Sequence, residues 1–219
     1  SRAFCRDRAS TFDPRHLRAL AGFVFSSSLV GFAAVPAMAR LVTVTGSPVS
    51  TLPFVAVAAG LQGAILPLIS HFGISPDDRA GARLSYLYMS NIAGSAAGSL
   101  LTGFVLMDHL TIQGISVFLD AAGAVVTFGL LLLSRRRDQR TFASLAGVGL
   151  SVLLALLVAP GLFHDLYARL LWKRAYTPER GFAHVVETKS GVITVTREGG
   201  IYGGGIYDGA FSTNLVDDR

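Results

Sequence analysis

Cysteine is almost absent from this 219-residue chain. The one thiol, Cys5, excludes an internal disulfide and any cysteine-rich metal site. Charge is scarce as well. Charged residues make up 15% of the sequence and hydrophobic residues 51%, where a soluble domain carries about 25% charged residues. With a mean hydropathy of +0.52, that shortage excludes a disordered chain and an ordinary soluble enzyme, and it indicates a membrane protein. Acidic residues are fewer than basic ones, 14 against 19, which leaves a net charge of +5. Such an excess can serve nucleic acid. Here, however, the basic residues flank apolar runs with no interleaved aromatic patch, so they read as topogenic and no nucleic-acid partner is expected.

Five apolar runs, 17–39, 52–72, 84–107, 112–133 and 142–163, are each long enough for the about 20 residues of helix that cross a bilayer. A spanning segment must satisfy its own backbone, so helices are expected throughout. The arginines ahead of the first run and the triplet Ala37-Met38-Ala39 resemble a signal peptide with a small-residue cleavage site. Four further spans follow, which favours a retained segment. The expected fold is mainly α: a polytopic transmembrane helical bundle of about five spans, followed by a small antiparallel β-meander. The division expected is a basic arm 1–16, a transmembrane region 17–163, an amphipathic connector 164–181 and a truncated β-region 182–219. The chain is expected to be a piece of a longer protein lodged in a bilayer, the bacterial inner membrane.

Small residues dominate the third run. Ser90, Gly94, Gly98 and Thr102 recur every four residues, the pattern by which helix backbones approach closely in lipid. They are expected to pack helices, within the chain or in a homo-oligomer, and a substrate path along the same face is the other reading. Asn91 could bond across to a neighbour. Asp120 is the acidic residue well inside a span, where a carboxylate is costly. A local polar contact, or a helix starting later than drawn, is favoured over a proton or cation relay. Lys and Arg collect in the N-terminal arm, at Arg79 and Arg83, and at Arg135-Arg136-Arg137 and Arg140. The positive-inside rule puts these loops in the cytoplasm, and five spans then put the C-terminal segment outside.

Beyond the fifth run, His164 to Arg174 reads as a short amphipathic helix. Leu166, Leu170 and Leu171 lie on one side, and Trp172, Lys173 and Arg174 suit the headgroup level. Tyr176-Thr177-Pro178 ends it. Alternating β-branched runs follow at 182–188 and 192–196, joined by the turn Lys189-Ser190-Gly191, and lead through Arg197-Glu198-Gly199-Gly200 into Ile201-Tyr202 and then Gly203 to Gly209, a small antiparallel meander. Gly203-Gly204-Gly205 ahead of Asp208 invites comparison with a nucleotide-binding loop. No convincing helix follows it, so a glycine-rich β-turn is preferred. The histidines at 16, 71, 109, 164 and 184 are scattered, and His184 and Glu187 are expected on opposite strand faces. No metal site, paired carboxylates or nucleophile elbow emerges, so no catalytic residue is assigned.

Two stretches resemble a known family. Gly81-Ala82-Arg83-Leu84-Ser85-Tyr86-Leu87-Tyr88, with Asn91, Gly94, Gly98 and Gly103-Phe104-Val105-Leu106, is similar to the transmembrane part of membrane-bound spermidine synthase-like proteins. Ala183-His184-Val185-Val186-Glu187-Thr188, Gly191-Val192-Ile193-Thr194-Val195 and Tyr202-Gly203-Gly204-Gly205-Ile206-Tyr207-Asp208-Gly209 resemble the β-region ahead of their catalytic domain. The resemblance implies aminopropyl transfer from decarboxylated S-adenosylmethionine, as co-substrate, to putrescine or a similar amine in the full-length relative, on a Rossmann-like domain. It implies no cofactor in residues 1–219. Asp208 and Ser212 are the weak substrate-binding candidates it offers, and Ser212 stands where the family has glutamine. A cytosolic synthase would need its β-region inside, against the count of five spans. The reading preferred at this point is that one run, the first with Pro36 and Ser26-Ser27-Ser28, does not span. The alternative function is a transporter or membrane scaffold whose β-appendage binds a partner.

Overall fold

Residues 14–134 and 139–211 are described by a computed structural model. The arm with Cys5, the loop Arg135-Arg136-Arg137 and the candidate Ser212 lie outside the described residues. Among the described residues five helices are long and apolar enough to cross a membrane, as the runs of the sequence suggest. In chain order the helices are α1 (Pro14–Thr45), α2 (Leu52–Gly73), α3 (Ala80–Leu101), the short α4 (Met107–His109), α5 (Ile112–Leu133), α6 (Gln139–Phe163) and α7 (Leu166–Trp172). A π-helical segment, Thr102–Leu106, joins α3 to α4.

The first run is the centre of the bundle. α1 continues unbroken through Pro36 and buries Leu17, Leu20, Ala21, Ser27, Phe32, Pro36, Ala39 and Val42. Its polar serines do not interrupt it because a helix satisfies their backbone, and Pro36 is buried in the bundle. The expectation that this run fails to span therefore finds no break in the helix to support it. α1 packs chiefly on α5 and then on α2, and α6 packs on α5. The seam combines small residues, Ala39, Ala155 and Ala159 in one cluster and Ala21 and Ala124 in another, with the larger Phe32 and Phe163 in the first and Leu131 and Val148 in the second. Small side chains bring backbones close, where dispersion replaces the hydrophobic drive that lipid cannot supply. By contrast α2 and α3 contribute no buried residue.

Alternation of the helices fixes which loops share an end. The α1 C-terminus, the 46–51 turn, the 109–111 turn and the end of α6 lie together, and α7 folds back against the C-terminal end of α1. On this end sits a four-stranded antiparallel sheet, ordered β1-β2-β3-β4, of β1 (Phe182–Thr188), β2 (Gly191–Thr196), β3 (Gly200–Gly203) and β4 (Ile206–Ala210). The hairpin between β3 and β4 turns on Gly204 and Gly205 at φ 57° and 86°. Two successive positive-φ residues are what a tight two-residue hairpin demands, so the glycine cluster serves a β-turn.

Candidate functional site

Where the sheet meets the bundle, three elements supply polar groups that the apolar chain otherwise lacks. β1 turns Glu187 inward, and its carboxylate accepts a hydrogen bond of 2.5 Å from the backbone N–H of Ile112, the first residue of α5. The N-terminus of a helix carries unpaired N–H groups and partial positive charge, so a carboxylate is favoured there. Thr111 takes a second orphan donor, accepting from the N–H of Gly114 at 3.2 Å. Tyr167 of α7 and Glu187 line the same cleft. Burial, and then the charge and hydrogen bond of Glu187, push the Tyr167 phenol far above its ordinary range.

Asp165, just ahead of α7, adopts φ 55° and ψ 26° and keeps its side chain mostly covered. Its carboxylate accepts from the Tyr176 hydroxyl at 2.8 Å and lies 3.1 Å from the His164 ring. Burial first, and then the bond to Asp165, raise the Tyr176 phenol. A cleft of about 190 Å³ opens between these groups, with Phe163, Phe182 and Val185 among its walls. At the outer edge Lys189 meets Asp108 at 2.7 Å. The arrangement fastens a sheet to helix ends. Among the described residues no group of three or more His, Cys, Asp or Glu could hold a metal.

The remaining side of the joint is aromatic. Trp172 packs edge-on against Tyr202 with ring centroids 5.7 Å apart and against Phe182 at 6.4 Å. Its indole N–H donates to the Arg180 carbonyl at 3.0 Å. Trp172 is thus turned to the sheet. Arg174 reaches back to the Val44 carbonyl at 3.4 Å, and Arg40 to the Gly161 carbonyl at 3.2 Å. Both cations sit at helix C-termini, where unpaired carbonyls attract them.

The candidates read from sequence fall in separate places. Asp120 is 3% exposed on the buried face of α5, and α5 begins at Ile112, so the helix does not start late. One carboxylate oxygen, Oδ2, is buried without a hydrogen-bond partner among the described residues. Ser90, Asn91, Gly94, Gly98 and Thr102 lie on α3 and the segment after it, and a side chain at Gly94 or Gly98 would meet open space. No other described helix of this chain covers that face. Asp208 is the extra residue of a β-bulge in β4: Tyr202 pairs with Tyr207 and Ile201 with Gly209. Its exposed carboxylate leans over Gly203, where any side chain would collide with it. The joint of Glu187, Tyr167 and Ile112 was not foreseen, because nothing local in the strand sequence marks Glu187 as a helix-terminus ligand.

Neither protein-family models, curated proteins nor solved structures match this chain.

Proposed function

We propose that this chain is the membrane-anchoring part and N-terminal β-region of a spermidine synthase-like protein. Its role is to hold a β-platform rigidly on one end of a helical bundle. The observation that carries the reading is the joint at Glu187, which clamps β1 to the first turn of α5. The segments on which the resemblance rests fall on β1, β2 and the β3–β4 hairpin, a small antiparallel sheet of the kind that precedes the catalytic domain in such proteins. The outer face of that sheet presents Val186, Ile193 and Ile206 in one cross-strand row, each more than half exposed. A row of this kind is suited to a covering domain. In full-length relatives that domain transfers the aminopropyl group of decarboxylated S-adenosylmethionine to putrescine or a similar amine. Residues 1–219 alone are expected to catalyse no such transfer. The bacterial inner membrane is the compartment that fits the reading.

One observation favours a second reading. The sheet occupies the end of the bundle opposite Arg15, Arg18, Arg79 and Arg83, which the positive-inside rule assigns to the outside. A transporter or membrane scaffold with a partner-binding β-appendage would suit that side, whereas cytosolic amine substrates would not reach it. The coding sequence beyond Arg219 separates the two. A glycine-rich nucleoside-binding loop with an acidic cluster within about one further domain length, roughly 100–150 residues, supports the synthase-like reading. A stop codon or an unrelated segment there favours the scaffold.

A further inference from the structure

We propose that the cavity between α7 and the inner face of the sheet binds one long-chain carboxylate drawn from the membrane beside it. The cavity encloses about 570 Å³, within the about 300–1,000 Å³ typical of ligand pockets. Leu170 and Leu171 of α7 wall it on one side, and Phe182 of β1 and Val192 of β2 on the other. It lies across the sheet from the row of Val186, Ile193 and Ile206, because side chains alternate along a strand. Ile193 is 51% exposed and its neighbour Thr194 only 5%. Two residues separate α7 from the end of α6, so the cavity sits where that span leaves the bilayer.

Two polar side chains interrupt the apolar lining, and the fold uses neither. Thr194 is buried against the cavity, and its hydroxyl makes no hydrogen bond among the described residues. A hydroxyl enclosed by apolar walls without a partner is costly. Lys173 also lines the cavity, and its ammonium makes no ion pair or hydrogen bond among the described residues. Its backbone stands at φ 51° and ψ −121° at the end of α7, a conformation that lysine rarely adopts. Among the described residues no acidic side chain lines the cavity. An ammonium and a hydroxyl supply donors for the two oxygens of one carboxylate. A phosphate brings three acceptor oxygens and more charge than one lysine matches. The hydrocarbon chain of the ligand covers Leu170, Leu171 and Val192, which the fold leaves facing empty space.

Trp172, the chain's one tryptophan, reports on the cavity, since its ring packs on Phe182 of the cavity wall with centroids 6.4 Å apart. The test uses the whole chain in phosphatidylcholine nanodiscs and follows quenching of Trp172 fluorescence by dibrominated stearate, the corresponding dibrominated alcohol, or dibrominated phosphatidylcholine. Stearate is expected to quench saturably at several-fold lower concentration than the alcohol, and phosphatidylcholine to quench only in proportion to its share of the bilayer. Lys173→Gln is expected to remove the preference for acid over alcohol and Lys173→Arg to keep it. Thr194→Val is expected to weaken binding of the acid several-fold. Val192→Phe, which fills the cavity and leaves the cation, is expected to abolish saturable quenching and decides the matter should Lys173→Gln not fold. Equal quenching by acid and alcohol, no saturable quenching by stearate in the unaltered chain, or a folded Val192→Phe that still saturates would overturn the proposal.

Discussion

The carboxylate of Glu187, on the first strand of the sheet, accepts a hydrogen bond from the backbone N–H of Ile112, at the start of a spanning helix 75 residues earlier. The bond ties a β-strand directly to a helix N-terminus. It uses the one place where a membrane helix has N–H groups and positive partial charge to spare.

Removing that carboxylate should loosen the sheet before it harms the bundle. Glu187→Ala leaves the Ile112 donor without its acceptor, a loss of about 2 kcal/mol on the scale of charged hydrogen bonds. Glu187→Gln keeps an acceptor and loses the charge, about 1 kcal/mol. Amide exchange at Ile112 reads both directly, and roughly 30-fold faster exchange corresponds to the larger loss. Unchanged exchange in Glu187→Ala would mean that the strand is held elsewhere.

The same joint should fail in alkali. The Tyr167 phenol is raised in the folded chain by burial and by Glu187, so the folded state keeps a proton that the unfolded chain releases near pH 10. Stability from this group is complete below about pH 10 and declines as pH rises above it, since unfolding then releases a proton. Tyr176 is raised also and steepens the decline. Tyr167→Phe cannot ionise, so sheet release, followed by proteolysis of the connector between pH 9 and 12, should become less dependent on pH. A profile as steep as the wild type's would exclude Tyr167 as the source.

In the bundle the closest fit is at Gly123 of α5, where a side chain would overlap the hydroxyl and Cβ of Ser28 on α1. Gly123→Val should cost about 1–3 kcal/mol through overpacking. Ser28→Gly in the same chain should recover much of it by vacating the space. Thermal unfolding of the two single variants and the double variant measures the coupling, and simple additivity would place the two residues apart.

How much of this was legible in the sequence differs by region. The spans were, because a run such as 112–133 with one carboxylate has few other uses, and its helix begins at Ile112 as the sequence suggested. The strand 182–188 was legible from alternation and the glycine-bearing turn after it. The joint was not. A glutamate in a strand carries no local sign that it will meet Ile112, and only the folding back of α7 brings them together. The contacts of Trp172 were hidden for a related reason: tryptophan beside two cations suits a membrane interface, and the sheet whose rings pack on it lies later in the chain. The small-residue face of α3 signalled close packing, but pattern alone does not name the surface it meets, and the other described helices leave it uncovered.

The central claim is that five spans carry the sheet on the side opposite the arginine-bearing loops, and labelling from one side of the membrane tests it most directly. In a Cys5→Ser background, single cysteines replace Ser190, in the exposed β1–β2 turn, and Asp78, in the exposed α2–α3 turn. A membrane-impermeant maleimide added to intact cells should label the cysteine at 190 and reach the one at 78 only after permeabilisation, a result that favours the scaffold reading over a synthase-like domain supplied from the cytosol. Labelling at 78 with protection at 190 would reverse the orientation, and labelling of both in intact cells would contradict the five-span arrangement itself.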